Sequence, residues 1–220
     1  MIRTTTHSSR PARQQRPVVW RALGSLVLVG AFVACTSQRR EAERSTPAAP
    51  KPVELVDVAA TWTQSYTVTG IKTEPTYIEH VTITRNDDVF TVAGGAMVHM
   101  EPSVESVRLD DSGRIEHIVC PAAMDCTTPR PLTGFLATAS VLSAARSGRL
   151  TGSVIPQTFG NRTVVCVPAE QIGVADPVLD PCLDLETGAV LAQRHRRSGT
   201  YDGPTFDPWS VTVTALRAAD

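Results

Sequence analysis

The feature that most constrains the fold is a succession of short segments in which apolar and polar residues alternate and which end at turn signals. Alternation with a period of two residues is typical of strands, and the Asp, Asn and Gly residues between the segments favour hairpin turns. One such turn is predicted at 85–88. We predict strands at 62–70, 77–84, 89–93, 104–109, 115–120, 153–159, 161–167, 182–188, 189–195 and 209–217.

Two helices are predicted among these strands. A short amphipathic helix at 53–62 places Leu55, Val58 and Ala59 on one face. A longer helix at 132–147 has Thr133 as a candidate N-cap, and Gly148 follows its end. Its outer positions are small residues, which leaves open whether a second element docks there. The pattern predicts an α+β, mainly β fold with a helix packed on antiparallel sheet.

The N-terminal 35 residues are basic at first and then apolar. Five arginines and no acidic residue precede an apolar run at 22–35, which has the length of a signal peptide and is too short to span a bilayer. Phe32–Cys35 closes this run and is similar to a lipobox, in which the cysteine becomes diacylated and starts the mature chain. The segment therefore resembles a bacterial lipoprotein signal. The alternative is an unprocessed anchor helix that buries Cys35.

The resemblance implies a division of the chain into three parts. Residues 1–34 are a cleaved signal peptide, residues 35–53 are a polar, proline-rich tether anchored by lipid at Cys35, and residues 54–220 form one mainly-β domain. It places the protein at the extracytoplasmic face of the cell membrane, with the membrane as its partner through the lipid anchor. No protein partner is specified by the sequence.

The charge distribution disfavours nucleic acid as a partner. All 22 acidic residues follow Cys35, whereas five of the 21 Lys and Arg residues precede it. From Cys35 onwards 16 basic residues face 22 acidic ones, a net charge of about −6 with neutral histidines. Such a domain repels a phosphate backbone.

The other four cysteines predict two disulfides, because an even number in an exported chain favours pairing. Three connectivities are open, and we favour Cys120–Cys126 and Cys166–Cys182, since each closes a local loop at predicted strand ends. A metal site made by His117, Cys120 and Cys126 is the rival interpretation, although its spacing matches no familiar zinc pattern. No Cys-x-x-Cys pair is present for redox chemistry.

The sequence has none of the common catalytic motifs. It contains no Gly-x-Ser-x-Gly, His-Glu-x-x-His or Ser-x-x-Lys motif and no phosphate-binding glycine loop. We predict a protein that is not an enzyme and has no catalytic residue, metal or cofactor. An acidic cluster is predicted to be a solvated loop and not a cation site. Its members are Asp176, Asp180, Asp184 and Glu186.

A second resemblance rests on residues 182–191, Cys-Leu-Asp-Leu-Glu-Thr-Gly-Ala-Val-Leu. This stretch is similar to the Asp-x-x-Thr-Gly-x-x-Leu turn of the LolA-like lipoproteins, which include the mycobacterial LppX and LprG group, and the order of elements extends the likeness over 55–217. The resemblance implies a strongly curved antiparallel sheet, a half-open barrel, wrapped over helices around an apolar cavity for acyl chains.

The leading functional hypothesis is therefore a membrane-tethered, non-catalytic binding or carrier protein for a lipid or other apolar ligand. The ligand would lie between the concave sheet and the 132–147 helix; ordinary core is the alternative for each lining residue. An envelope interaction or sensory module that presents 169–181 and 198–208 is the second hypothesis. A hydrolase, the third, requires a histidine to meet a carboxylate or hydroxyl. The predicted lining residues are Trp62, Tyr66, Phe90, Phe135, Leu136 and Leu142.

Overall fold

The alternating segments form antiparallel strands in a computed structural model, which describes residues 49–74, 77–94, 103–121, 125–127, 131–174, 179–202 and 206–216. Cys35, the predicted signal peptide and most of the tether lie outside these residues, as does Asp176. The helices are α1 (Leu55–Thr61) and α2 (Ala137–Arg146), with short 3-10 turns at Gly134–Leu136 and Ala169–Ile172. The strands are β1 (Val53–Glu54), β2 (Tyr66–Glu74), β3 (Tyr77–Asn86), β4 (Val89–Gly94), β5 (Ser103–Leu109), β6 (Ile115–Val119), β7 (Ser153–Val154), β8 (Gln157–Phe159), β9 (Arg162–Cys166), β10 (Leu179–Asp184), β11 (Val190–His195), β12 (Tyr201–Asp202) and β13 (Thr212–Ala215).

The strands are arranged in two main sheets. The first has the order β13-β2-β3-β4-β5-β6, and the second has the order β12-β11-β10-β9-β8. One sheet curls into a half barrel, and β1 pairs separately with β7. The predicted class, α+β and mainly β with a curved antiparallel sheet and short helices, is confirmed.

Helix α2 is covered on more than one side. Every residue from Ala137 to Ala144 is buried, and the helix contacts α1, β5, β6 and the turn at Ala169–Ile172. Small side chains permit this close approach, because they let neighbouring backbones pack at short distances. The small residues predicted to lie on an outer face are therefore packed inside the protein.

The start of the second helix differs from the prediction. Gly134 has a φ of +59°, which favours glycine, and a 3-10 turn at Gly134–Leu136 precedes α2. The Thr133 side chain makes no capping hydrogen bond, so the predicted N-cap was wrong. Instead, the Leu132 amide donates to Ser140 Oγ over 2.6 Å.

The turn between β3 and β4 is also shorter than predicted. Strand β3 continues to Asn86, and only Asp87 and Asp88 form the turn. Arg85, which was assigned to the turn, is therefore a strand residue. It lies directly opposite Tyr66 on β2 and Phe90 on β4, so its side chain lies on their face of the sheet.

Both favoured disulfides are present. Cys120 pairs with Cys126, and Cys166 pairs with Cys182. The second joins directly opposed residues of β9 and β10, whose Cα atoms are 3.9 Å apart. The metal interpretation loses its two thiolates, and no three His, Cys, Asp or Glu side chains of the described ranges are grouped to hold a metal ion. Within those same ranges, no helix is both long and apolar enough to cross a membrane.

Candidate functional site

The turn that carries the Asp-x-x-Thr-Gly sequence is organised by one buried carboxylate. Asp184 is 1% exposed, and its Oδ1 accepts hydrogen bonds from the amides of Glu186 and Thr187 and from the Thr187 hydroxyl, at 3.2, 3.0 and 2.9 Å. The Arg162 guanidinium binds both oxygens of this carboxylate, at 2.7 and 2.9 Å. Asp184 is thus compensated on every side, as a buried charge requires.

The same turn joins the second sheet to both helices. The Thr138 hydroxyl of α2 donates to the Gly188 carbonyl over 2.6 Å, and Trp62 Nε1, at the end of α1, donates to the Leu185 carbonyl over 3.1 Å. Gly188 has a φ of +75°, and a Cβ atom there would lie 2.6 Å from the Trp62 ring. The motif therefore has a structural explanation: its aspartate closes the turn and its glycine accommodates Trp62.

The acidic cluster predicted to be solvated is largely neutralised by arginines. Asp184 is buried against Arg162, while Asp180 pairs with Arg196 over 2.7 Å. Arg162 also reaches the exposed Glu186 over 3.2 Å. The prediction of a solvated loop was wrong for Asp184, because the hairpin turn folds its carboxylate inwards.

Arg85 is the second buried charge, and its surroundings differ. The residue is 4% exposed, its Nε donates to the Asp87 carbonyl over 2.9 Å, and its Nη1 donates to the Trp62 carbonyl at the end of α1. The guanidinium carbon lies 5.2 Å from the centroid of the Phe90 ring, within range of a cation–π contact. No carboxylate of the described residues pairs with Arg85, and burial lowers the pKa of its guanidinium.

Tyr66 adds an unsatisfied polar group beside Arg85. Its side chain is fully buried, and the hydroxyl has no hydrogen-bond partner among the described residues. Burial raises the pKa of Tyr66 to about 12, because the tyrosinate would lose its solvation; the Arg85 charge opposes this only in part. The sheet face that meets the helices therefore carries a cation and a hydroxyl within an otherwise apolar row.

A groove of about 490 Å³ opens over Arg85, between α1, α2 and the β3–β4 turn. We call this cavity the helix groove. One part of its wall is apolar and the other part carries charges of both signs. It is lined by Val56, Ala59, Ala60, Trp62, Thr63, Arg85, Asp87, Asp88, Leu142, Ala145 and Arg146.

A second cavity, of about 580 Å³, lies between α2, β6 and the residues Cys126 and Thr127. Charged and hydroxyl side chains, including Arg114, Glu116 and Ser143, alternate with apolar ones on its wall. His117 lines it as well, and its Nε2 lies 3.2 Å from Glu105. This cavity suits an apolar ligand less well than the helix groove does.

The six predicted lining residues are all buried, with exposed fractions from 0 to 9%. Trp62 and Leu142 also border the helix groove. The other four belong to the packed core between the first sheet and α2, where Phe135 stacks on Phe206 with ring centroids 4.8 Å apart. Arg85, which is central to the groove, was missed by the sequence interpretation. The signal was available, because Arg85 continues the inward alternation of Val81 and Ile83.

In comparisons with known proteins, no family model, no curated protein and no solved structure matches the chain. The likeness to the LolA-like lipoproteins stays a prediction from residues 182–191 and the order of elements.

Proposed function

We propose that the chain is a lipid-anchored extracytoplasmic binding protein, not an enzyme, which takes a small apolar or amphipathic ligand in the helix groove. The observation that carries this proposal is the combination of an apolar wall and a volume of about 490 Å³, which lies in the range of small-molecule sites. Buried apolar side chains form a core cluster beneath the sheet, which supports a ligand site beside α1 and α2 in preference to the sheet interior.

The proposed anchoring rests on the N-terminal sequence and agrees with the two disulfides. An arginine-rich start, a short apolar run and a lipobox-like Cys35 match a lipoprotein signal. Disulfides form and persist in exported proteins. Two acyl chains on one cysteine hold a protein on a membrane stably, at about 0.8 kcal/mol per buried methylene.

Anchoring is tested by Cys35→Ser in cells fed an alkyne-bearing fatty acid. We expect the wild-type chain to fractionate with membranes and to carry the label, and the variant to lose the label and to change its fractionation. Labelling that is equal in the two chains would contradict the anchor.

Ligand binding is tested with the full-length chain in native membranes, using a photoreactive medium-chain alkyl probe. We expect crosslinks in peptides from α1 and α2, which wall the groove. Ala60→Trp fills the groove and should abolish them. Thr61→Trp is the matched control, because Thr61 is exposed and does not line the groove. Equal labelling of the two variants would remove the groove as the site.

A second candidate function, docking of an envelope protein, is favoured by one observation. Trp209 is 82% exposed, next to the 198–208 segment named in that hypothesis. Crosslinking in cells from a photoreactive residue at position 209 distinguishes the two functions. A single protein adduct at 209, together with no lipid adduct in the groove, would favour docking.

A further inference from the structure

We propose that the helix groove selects an amphiphile with a single negative charge, and that Arg85 binds that charge. This inference deepens the proposed function and rests on it, since it concerns the same groove. The apolar walls would contact the hydrocarbon part of the ligand, and the guanidinium at the base would receive a carboxylate or another monoanionic head.

The first argument is the number of donors that Arg85 has left. A guanidinium carries five N–H groups. One Nε–H and one Nη1–H are used, on the carbonyls of Asp87 and Trp62. The other three, one on Nη1 and two on Nη2, have no acceptor among the described residues. N–H groups that remain on both terminal nitrogens can donate to the oxygens of a carboxylate.

The second argument is the charge balance of the groove. Besides Arg85 it contains Arg146, Asp87 and Asp88. Arg146 is already engaged, since its Nη2 lies 2.7 Å from Asp88 Oδ1 and its Nη1 donates to the Asp110 carbonyl over 2.7 Å. Asp87 contributes its carbonyl to Arg85, but its carboxylate forms no ion pair with the guanidinium among the described residues. Arg85 is thus the groove cation that lacks a direct anionic partner.

The third argument is the cost of leaving Arg85 in this state. A guanidinium removed from water is stabilised by a carboxylate, or otherwise loses much of its solvation. Two carbonyls and the Phe90 ring replace water only in part. A monoanion in the groove would give the Arg85 guanidinium the acceptors that it lacks. An uncharged ligand would instead shield the guanidinium from water and increase its desolvation penalty. The groove should therefore discriminate by charge as well as by shape.

The experiment compares two photoreactive probes, a medium-chain carboxylic acid and the alcohol with the same chain and photoreactive group, on the full-length protein in native membranes. We expect the acid to label the groove peptides about tenfold more strongly than the alcohol does, a difference of one charge-assisted contact. Arg85→Met should reduce labelling by the acid to the level of the alcohol. Arg108→Met is the matched control, because Arg108 is exposed and lies outside the groove.

The outcomes separate this inference from the proposed function. Equal groove labelling by acid and alcohol in the wild-type protein would overturn the role of Arg85 and leave apolar binding intact. Absence of groove labelling by both probes would overturn both. The wild-type comparison needs no variant, so it decides the question even if Arg85→Met fails to fold.

Discussion

Asp184 and Arg85 are two buried charges that the fold treats in opposite ways. Asp184 has a bidentate arginine and three hydrogen-bond donors around its carboxylate. Arg85 has two carbonyls and an aromatic ring, and no described carboxylate. Both lie near Trp62, which contacts the Asp184 turn through its ring and Arg85 through its carbonyl.

The difference indicates what each charge contributes. A buried ion whose interactions are all made within the protein stabilises a particular conformation. Removal of one partner leaves the other as an unpaired buried charge, which strongly lowers the free energy of unfolding. A buried ion with unused donors contributes less to the fold and is available to a ligand. Motif resemblance pointed to the first region, whereas the proposed ligand site lies in the second.

The largest effect is expected from Asp184→Ala. It removes the carboxylate that accepts three hydrogen bonds within the turn and leaves Arg162 without its main partner, so we expect a loss of about 3–5 kcal/mol in the free energy of unfolding. Urea denaturation measures it. Glu186→Ala is the control, because Glu186 meets the same arginine but has a side chain that is 78% exposed, and should cost about 0.5 kcal/mol. Similar losses in the two variants would contradict the assignment of Asp184 as the centre of the turn.

The second-largest effect is expected from Gly188→Ala, which should lower the free energy of unfolding by about 3 kcal/mol. The new Cβ would meet the Trp62 ring at 2.6 Å, in a backbone conformation with a φ of +75°, so steric overlap adds to conformational strain. Gly148→Ala isolates the strain, since φ is +70° there and no atom lies within 4 Å of the new Cβ; it should cost about 1 kcal/mol. Thermal or urea unfolding measures both variants. Equal losses of stability would show that the Trp62 ring moves aside without lowering the free energy of unfolding.

Unfolding at alkaline pH tests whether the Tyr66 hydroxyl, which belongs to the residue directly opposite Arg85, is buried. Its pKa is raised to about 12 in the folded protein, from the ordinary value of 10.0 for a solvated tyrosine. The stabilisation that this shift provides is complete below pH 10 and disappears as the pH rises to 12, a change of about 3 kcal/mol. We expect Tyr66→Phe to remove this component from the pH dependence of the free energy of unfolding. A variant that follows the wild-type curve between pH 10 and 12 would show that the hydroxyl is not buried in this way.

The smallest effect on stability is expected from Arg85→Met. The variant loses two hydrogen bonds to carbonyl groups but also the desolvation penalty of the cation, so we expect about 1 kcal/mol or less. Urea denaturation beside Asp184→Ala gives the contrast directly. A loss as large as that of Asp184→Ala would mean that Arg85, like Asp184, mainly stabilises the fold. It would contradict the view that only Asp184 has this role.

Much of the fold follows from the sequence, because strand alternation and turn residues are local signals. Strands β3 to β6 lie near their predicted positions, and both favoured disulfides follow from local loop closure. Strand β2 begins at Tyr66 and not at Trp62, because Trp62 ends α1, and β10 ends at Asp184, before the turn that leads into β11. The N-cap at Thr133 failed because Gly134 takes a left-handed conformation, which propensity alone does not specify.

The candidate site was harder to predict, because it depends on which distant elements meet. The sequence predicts a turn at Arg85 because Asn86, Asp87 and Asp88 follow it. Its inward orientation follows from pairing with Tyr66 and Phe90, two residues far apart in sequence. Likewise, the hydrophobicity of Phe90, Phe135 and Leu136 identified them as buried but did not distinguish core from cavity wall. Only the packing of α1 beside α2 defines the groove.

The position of Trp62 has an optical consequence. Its indole is 1% exposed, lies over Gly188 and borders the helix groove, whereas Trp209 is 82% exposed. The two should therefore emit at different wavelengths and differ in access to an aqueous quencher such as iodide. In a chain with Trp20→Phe, which removes the third tryptophan of the sequence, emission from the shielded indole provides an intrinsic, label-free signal beside the groove, and the exposed indole serves as an internal reference.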